Sequence, residues 1–154
     1  MILAATAADY ADLIAGRGPR GLALPDTEIA PRAVLQMLAD VAATVRTAFD
    51  PASWLIVADG EVVGLCAVTR PPEAGTIDIG YGIAASRRRR GHATRAVAAI
   101  AEWARQSDAV CTITAETSVS NPASQHVLAS NGFTQSGERH DAEDGALLCW
   151  RLGV

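Results

Sequence analysis

Residues 78–104 read DIGYGIAASRRRRGHATRAVAAIAEWA, and three regimes follow one another within them. From Thr76 to Ile83, the apolar Ile77, Ile79, Tyr81 and Ile83 alternate with Thr76, Asp78, Gly80 and Gly82, the period of a strand. From Gly91 to Gln106, Ala93, Val97, Ile100, Ala101 and Ala104 recur at helical spacing. A short loop carrying four consecutive arginines, Arg87 to Arg90, joins the two. The second face of the strand is bare. Its two glycines imply either a bulge or something that approaches the backbone closely.

Working outward, Glu61–Thr69 and Trp54–Ala58 are two further β-rich runs, joined by Asp59-Gly60 as in a hairpin with a type I′ turn. Before them lie two helical patterns. One spans Ala7–Ala15 with Thr6 as N-cap, and the other spans Pro31–Ala48 and stops at Asp50-Pro51. Downstream, Val110–Ala115 reads as a strand and Asn121-Pro122 opens a helix that ends near Gly132. Phe133–Glu138 and Ala146–Leu152 then read as closing strands around a polar turn, residues 139–145. The first three strands can be joined by short turns and the next two by crossover helices. The expected fold class is therefore α/β, a mixed sheet with helices on both faces.

The chain has 154 residues, enough for one domain, residues 1–154, with one hydrophobic core. Its hydrophobic fraction of 49% and charged fraction of 19% exclude a disordered chain. There is no lysine, which excludes a lysine Schiff base or a Walker lysine. A net charge of −4 is a poor match for a protein that coats nucleic acid or an anionic membrane, so neither partner is expected. Residues 1–77 hold five Arg against nine Asp plus Glu, which favours a cationic partner there. Cys66, Cys111 and Cys149 are few, scattered and set in apolar runs, as expected of packed thiols in a reducing compartment. The opening MILAATAADY lacks a basic leader and no run approaches a membrane span; the expected location is the cytoplasm.

A strand, a tight turn and a helix start together form an anion site. Backbone N–H groups of the turn and the helix dipole favour a phosphate or pyrophosphate, and Gly91 keeps the approach clear. Four arginines at a helix start otherwise make a solvated face, but like charges beside the positive end of a dipole call for a compensating anion.

Arg88-Arg89-Arg90-Gly91-His92-Ala93 is similar to the acyl-coenzyme A motif of the GCN5-related N-acetyltransferase (GNAT) family: Arg or Gln, two variable residues, Gly, a variable residue, then Gly or Ala. Ile79-Gly80-Tyr81-Gly82-Ile83 resembles that family's fourth strand. Residues 115–124, AETSVSNPAS, with Asn131-Gly132-Phe133, resemble its ribosomal-protein alanine acetyltransferase branch. The resemblance implies a sheet whose fourth and fifth strands splay apart around a pantetheine arm, with acetyl-CoA as the acyl donor. It implies that residues 79–83 flank the arm and that the amides of Arg88, Arg89, Arg90, Gly91, His92 and Ala93, continuing to Thr94, hold the pyrophosphate. Asn121 and Ser124 are expected near the cofactor, Asn121 also as N-cap.

Acetyl transfer to an amine needs a neutral amine, a donor for the carbonyl oxygen and an exit for the thiolate. Asp78 and Glu116 are the carboxylates nearest the inferred centre: Asp78 on the bare strand face, Glu116 where the next strand ends. Either can take the ammonium proton, and the amides of Ile79 to Tyr81 are the family-style donors to the carbonyl. Many relatives carry a tyrosine where this chain has Leu128; Ser124 is the alternative donor to the thiolate. His92 and His126 lack close ligand partners, and His140, Asp141, Glu143 and Asp144, which have the chemistry of a divalent-ion site, fit a solvated hairpin tip better, so no metal is expected. The expected acceptor is a protein N-terminal amine or a small amine, with residues 16–32 setting its identity, and a homodimer is left open. The alternatives are a non-catalytic acyl-CoA binding module and, less well matched, a nucleic-acid module.

Overall fold

The computed structural model describes residues 1–154. A three-residue strand β1 (Ile2–Ala4) precedes helix α1 (Ala7–Ile14), and α2 spans Arg32–Arg46. Then come β2 (Ser53–Ala58), β3 (Glu61–Val68), β4 (Thr76–Ile83), α3 (His92–Arg105), β5 (Thr112–Ser118), α4 (Pro122–Ser130), β6 (Thr134–Asp141) and β7 (Gly145–Gly153). All seven strands form one sheet in the order β1-β2-β3-β4-β5-β7-β6. Its β4–β5 pair is parallel and the rest are antiparallel, so the expected mixed α/β architecture is what forms.

Local chemistry accounts for most boundaries. Asp59 and Gly60 both take positive φ, 52° and 73°, as a type I′ turn requires. Thr6 and Asp9 close a capping box on α1, and Asn121 Oδ1 accepts from Ser124 N at 3.1 Å to cap α4. Three boundaries depart from the apolar pattern. β1 is too short for an alternation to show. β5 continues past Ala115 because Thr117 takes the next inward place, where Trp150 Nε1 donates to its hydroxyl at 2.9 Å. β6 runs to Asp141 although nearly every residue is exposed, since it is the outer strand beside β7.

The sheet register sorts side chains into two layers. Trp54, Cys66, Tyr81 and, one step along, Ile79, Ala115 and Trp150 share the face covered by α3 and α4. Trp103 of α3 meets Trp54 edge-on, with ring centroids 5.2 Å apart. On the other face α1 and α2 pack over β1–β3, where Tyr10 donates to Ser53 Oγ at 3.1 Å. The same face over β5, β7 and β6 carries no helix.

Asp9 is buried, and burial alone would raise its carboxyl pKa. Hydrogen bonds from Arg20 and from the Thr6 amide and hydroxyl outweigh that and hold it below the usual range. A depressed folded-state pKa contributes stability above the unfolded value of roughly 3.9 and loses it as pH falls through the folded value. Asp9→Asn is expected to flatten the acid limb of a stability–pH curve below about pH 4 while destabilising the protein near neutrality, as measured by urea unfolding across pH.

Candidate active site

The site begins where β4 and β5 part. They pair from Thr76↔Thr112 to Ile79↔Ala115 and no further, although β3 accompanies β4 to Ile83 and β7 accompanies β5 to Ser118. Asp78 O accepts from Thr69 N and Ala84 N donates to Val63 O, so even-numbered residues of β4 point their backbone groups at β3. The N–H and C=O of Tyr81 therefore face the gap. The amides of Gly80 and Gly82 do not, which corrects the expectation that the whole 79–81 stretch offers donors there. The β3–β4 register is also unbroken, so no bulge explains the two glycines. A Cβ at Gly82 would meet nothing within 4 Å, and one at Gly80 would make only ordinary contact with Thr69.

Tyr81 is placed in sequence only as part of a cofactor-flanking strand, yet its side chain crosses toward α4. Its hydroxyl lies 2.9 Å from Ser124 Oγ and 3.1 Å from Ser124 O, and burial pushes its pKa up to about 12. A carbonyl only accepts, so the phenol proton serves Ser124 O and the Ser124 hydroxyl donates to Tyr81 Oη. Leu128, one helical turn after Ser124 on α4, is fully buried and offers no polar atom.

Between β4 and α3 the chain makes a single 3-10 turn, Ala85–Arg87, then takes left-handed φ at Arg89 (63°) and Gly91 (79°). The backbone N–H groups of Arg89, Arg90, Gly91, His92, Ala93 and Thr94 have no acceptor within the chain; the first bonded amide of this helix is that of Arg95, to Gly91 O at 3.0 Å. The residues from Arg88 to Gly91 are exposed. The arginines divide their work. Arg87 is taken by Glu61 (Nε–Oε1, 2.6 Å) and Asp26, and Arg88 Nε donates to Ile83 O at 3.1 Å. Arg89 and Arg90 make no side-chain bond. His92 contacts Arg95 through Nδ1, and burial followed by Arg95 and Arg90 holds its pKa below the usual value.

Asp78 stands on the helix-free side of the splay, as expected, but it is buried and both its oxygens are occupied. Thr114 donates to Oδ1 at 2.7 Å and Thr69 to Oδ2 at 2.6 Å, with Arg70 at 3.5 Å. Glu116 is not at a strand end but inside β5, opposite Cys149 and one residue past the last β4 pairing. Arg139 reaches over β7 to grip its carboxylate with Nε and Nη2, the latter 3.0 Å from Oε1, and also approaches Asp141. The sequence offered no signal for this pair. Cys66 is buried, with its thiol pushed up to about 12, but Cys111 is exposed and Cys149 half-buried against Glu116, so two of the three thiols are not core groups. Four of the nine acids of the N-terminal half are held in ion pairs, Asp9–Arg20, Asp12–Arg17, Asp26–Arg87 and Glu61–Arg87. A cavity of about 300 Å³ opens between α1, residues 24–30 and α2, lined by Leu13, Ile14, Leu24, Ile29 and Leu35 with Glu28 at its rim. No helix is long and apolar enough to cross a membrane.

The parallel pair that splays beside a turn of unpartnered amides lies within residues 2–134, which match the model of the acetyltransferase (GNAT) domain. The chain belongs to that family. No curated protein matches it. Among solved structures it resembles the ribosomal-protein-alanine N-acetyltransferase from Brucella melitensis, at TM-score 0.67 and 22% identity over 100% of this chain and 99% of that one. It also resembles the aminoglycoside acetyltransferase AAC(6')-Ib bound to ribostamycin and coenzyme A, at TM-score 0.70 and 18% identity over 99% and 92%. RimL, the ribosomal L7/L12 alpha-N-protein acetyltransferase in complex with coenzyme A, aligns at TM-score 0.68 and 16% identity over 81% and 74%. These are likenesses of fold, and they do not single out the ribosomal-protein branch.

Proposed function

We propose that the gap between β4 and β5 binds acetyl-CoA and that the chain transfers its acetyl group to a primary amine, with a peptide N-terminus as the best-fitting acceptor and a small amine as the alternative. The observation that carries this is the run of six unpartnered amides at residues 89–94, next to the open edge of β4. Such a run, at a helix start with left-handed residues in the turn, fits a diphosphate. Arg89 and Arg90, unengaged by other side chains, add positive potential and are free to reach a further phosphate, and His92, Ala93 and Thr94 complete the first helical turn. Residues Ile79 to Ile83 line the arm's path. The open space at Gly82 supports this, because nothing within the chain excludes a side chain there.

Acetyl-CoA supplies a thioester carbonyl open to attack by an amine. Tyr81 N–H faces the gap and is the group placed to donate to an oxygen that gains negative charge. The Tyr81–Ser124 hydroxyl pair sits on the α4 side; swinging the phenol proton from Ser124 O toward a departing sulfur protonates the thiolate, with the Ser124 hydroxyl still donating to Tyr81 Oη. Asn121 fixes Ser124 through the helix cap. Glu116, on the opposite, helix-free side, orients the acceptor ammonium and takes its proton; Asp78 stiffens the splay point beneath it. An α-amine, with a pKa of roughly 7.7–8.0, is partly neutral at pH 7 and needs only such modest help.

Titration calorimetry with CoA tests the cofactor site. The folded wild-type protein is expected to bind. Gly91→Val forces a β-branched residue to positive φ and should raise the Kd at least about tenfold with the fold retained. Absence of CoA uptake at millimolar concentration by the folded wild-type protein sinks the proposal.

A further inference from the structure

Asp78 and Glu116, the carboxylates on the helix-free sheet face beside the splay, and Asp141 at the end of the outer strand β6 all already face an arginine. Arg139 serves two of them, and it and Arg70 keep about half or more of their side chains exposed, 49% and 61%. An acceptor arriving at Glu116 from this side thus meets guanidinium groups at the mouth as well as a carboxylate. A site built for several ammonium groups needs uncompensated acid, as each cationic group otherwise faces like charge at short range. A singly charged α-amine needs one carboxylate, held in place. Arg139 provides that hold: its fork grips both oxygens of Glu116 across the intervening strand.

We propose that Arg139 is a specificity-determining residue that makes the site select singly charged α-amines, the chemistry of a peptide N-terminus, over polycationic amines. This rests on the acetyl-transfer reading and narrows its acceptor. Removing the guanidinium leaves Glu116 and Asp141 uncompensated, which attracts polycations and loosens the carboxylate that a single amine depends on. The selectivity is thereby inverted by one side chain.

The test measures thiol release from acetyl-CoA with three acceptors: a pentapeptide with a free N-terminus and uncharged side chains, spermidine, and kanamycin. The wild-type protein is expected to favour the peptide in kcat/KM. Arg139→Gln should shift the peptide-to-spermidine ratio toward spermidine by about tenfold, and Arg139→Lys, which keeps the charge but loses the fork, should shift it the same way by a smaller factor. Arg70→Gln, beside Asp78, should shift the ratio in the same direction by a smaller factor, and serves as the second probe if Arg139→Gln does not fold. A wild-type preference for spermidine or kanamycin, or a ratio unmoved in folded variants, overturns the proposal while leaving acetyl transfer intact. Absence of thiol release with every acceptor by a protein that binds CoA overturns the acetyl-transfer reading, and this inference with it.

Discussion

Glu116→Gln is expected to lower kcat for a peptide acceptor by about a hundredfold at pH 7 and to leave the Kd for CoA unchanged. The amide is nearly isosteric and keeps a carbonyl oxygen for Arg139, so the fold and the nucleotide-binding turn stay as they are. What is lost is the charge that holds the ammonium and the lone pair that takes its proton. The sign of the pH dependence follows. Above a pH of roughly 8 the free α-amine is mostly neutral in solution, so the deficit should shrink to within about tenfold near pH 9. Stopped assays of thiol release across pH 6.5–9, paired with calorimetry, provide the readout. A variant equal to wild type at pH 7 would remove Glu116 from the chemistry. Asp78→Asn gives the contrast. Its oxygens are held by Thr69 and Thr114, so the change should act on stability more than on the pH profile.

Gly64→Ala should destabilise the protein by about 3 kcal/mol, a drop of roughly 6–12 °C in Tm. Intrinsic preference points the other way, because alanine in a strand interior is better than glycine by about 0.5–1 kcal/mol. Packing reverses the sign. A Cβ at position 64 would overlap Gly82 O of the adjacent strand and lie 2.7 Å from Ile83 Cδ1. Backbone cannot swing aside as a long side chain can, so β4 must shift just where it forms one wall of the gap. CoA affinity should fall along with Tm. A Tm unchanged in thermal unfolding would mean that β3 and β4 are spaced differently from what the structure shows.

Arg139 and Tyr81 together show where the proposed site exceeds the motif. On the proposed reading, the motif residues 88–93 mark the nucleotide end of the site, where unpartnered backbone amides meet the diphosphate. The acceptor end is built from side chains that meet across the sheet. Arg139 and Glu116 stand 23 positions apart, and Tyr81 and Ser124 43 apart. Neither pair carries a local signature. The acid excess of the N-terminal half suggests a cationic partner by count alone, whereas which acids are already paired, Asp9, Asp12, Asp26 and Glu61, is decided by contacts along and across the fold.

The strand–turn–helix at 76–106, the positive-φ turn at Asp59-Gly60, the capped start of α4 and the mixed α/β order are all legible along the chain. Each depends on forces between neighbours: side-chain period, restricted φ, and a cap three residues away. The edges of the sheet, the extension of β5 through Thr117, the parting of β4 from β5 after Ile79, and the partners of Glu116, Asp78 and Tyr81 are not legible that way. They depend on register between strands remote in sequence, where a shift of one residue would send every side chain to the opposite face. Folding therefore chooses which carboxylate stands beside the splay and which arginine attends it, while the chain's own local chemistry chooses where the turn of unpartnered amides falls.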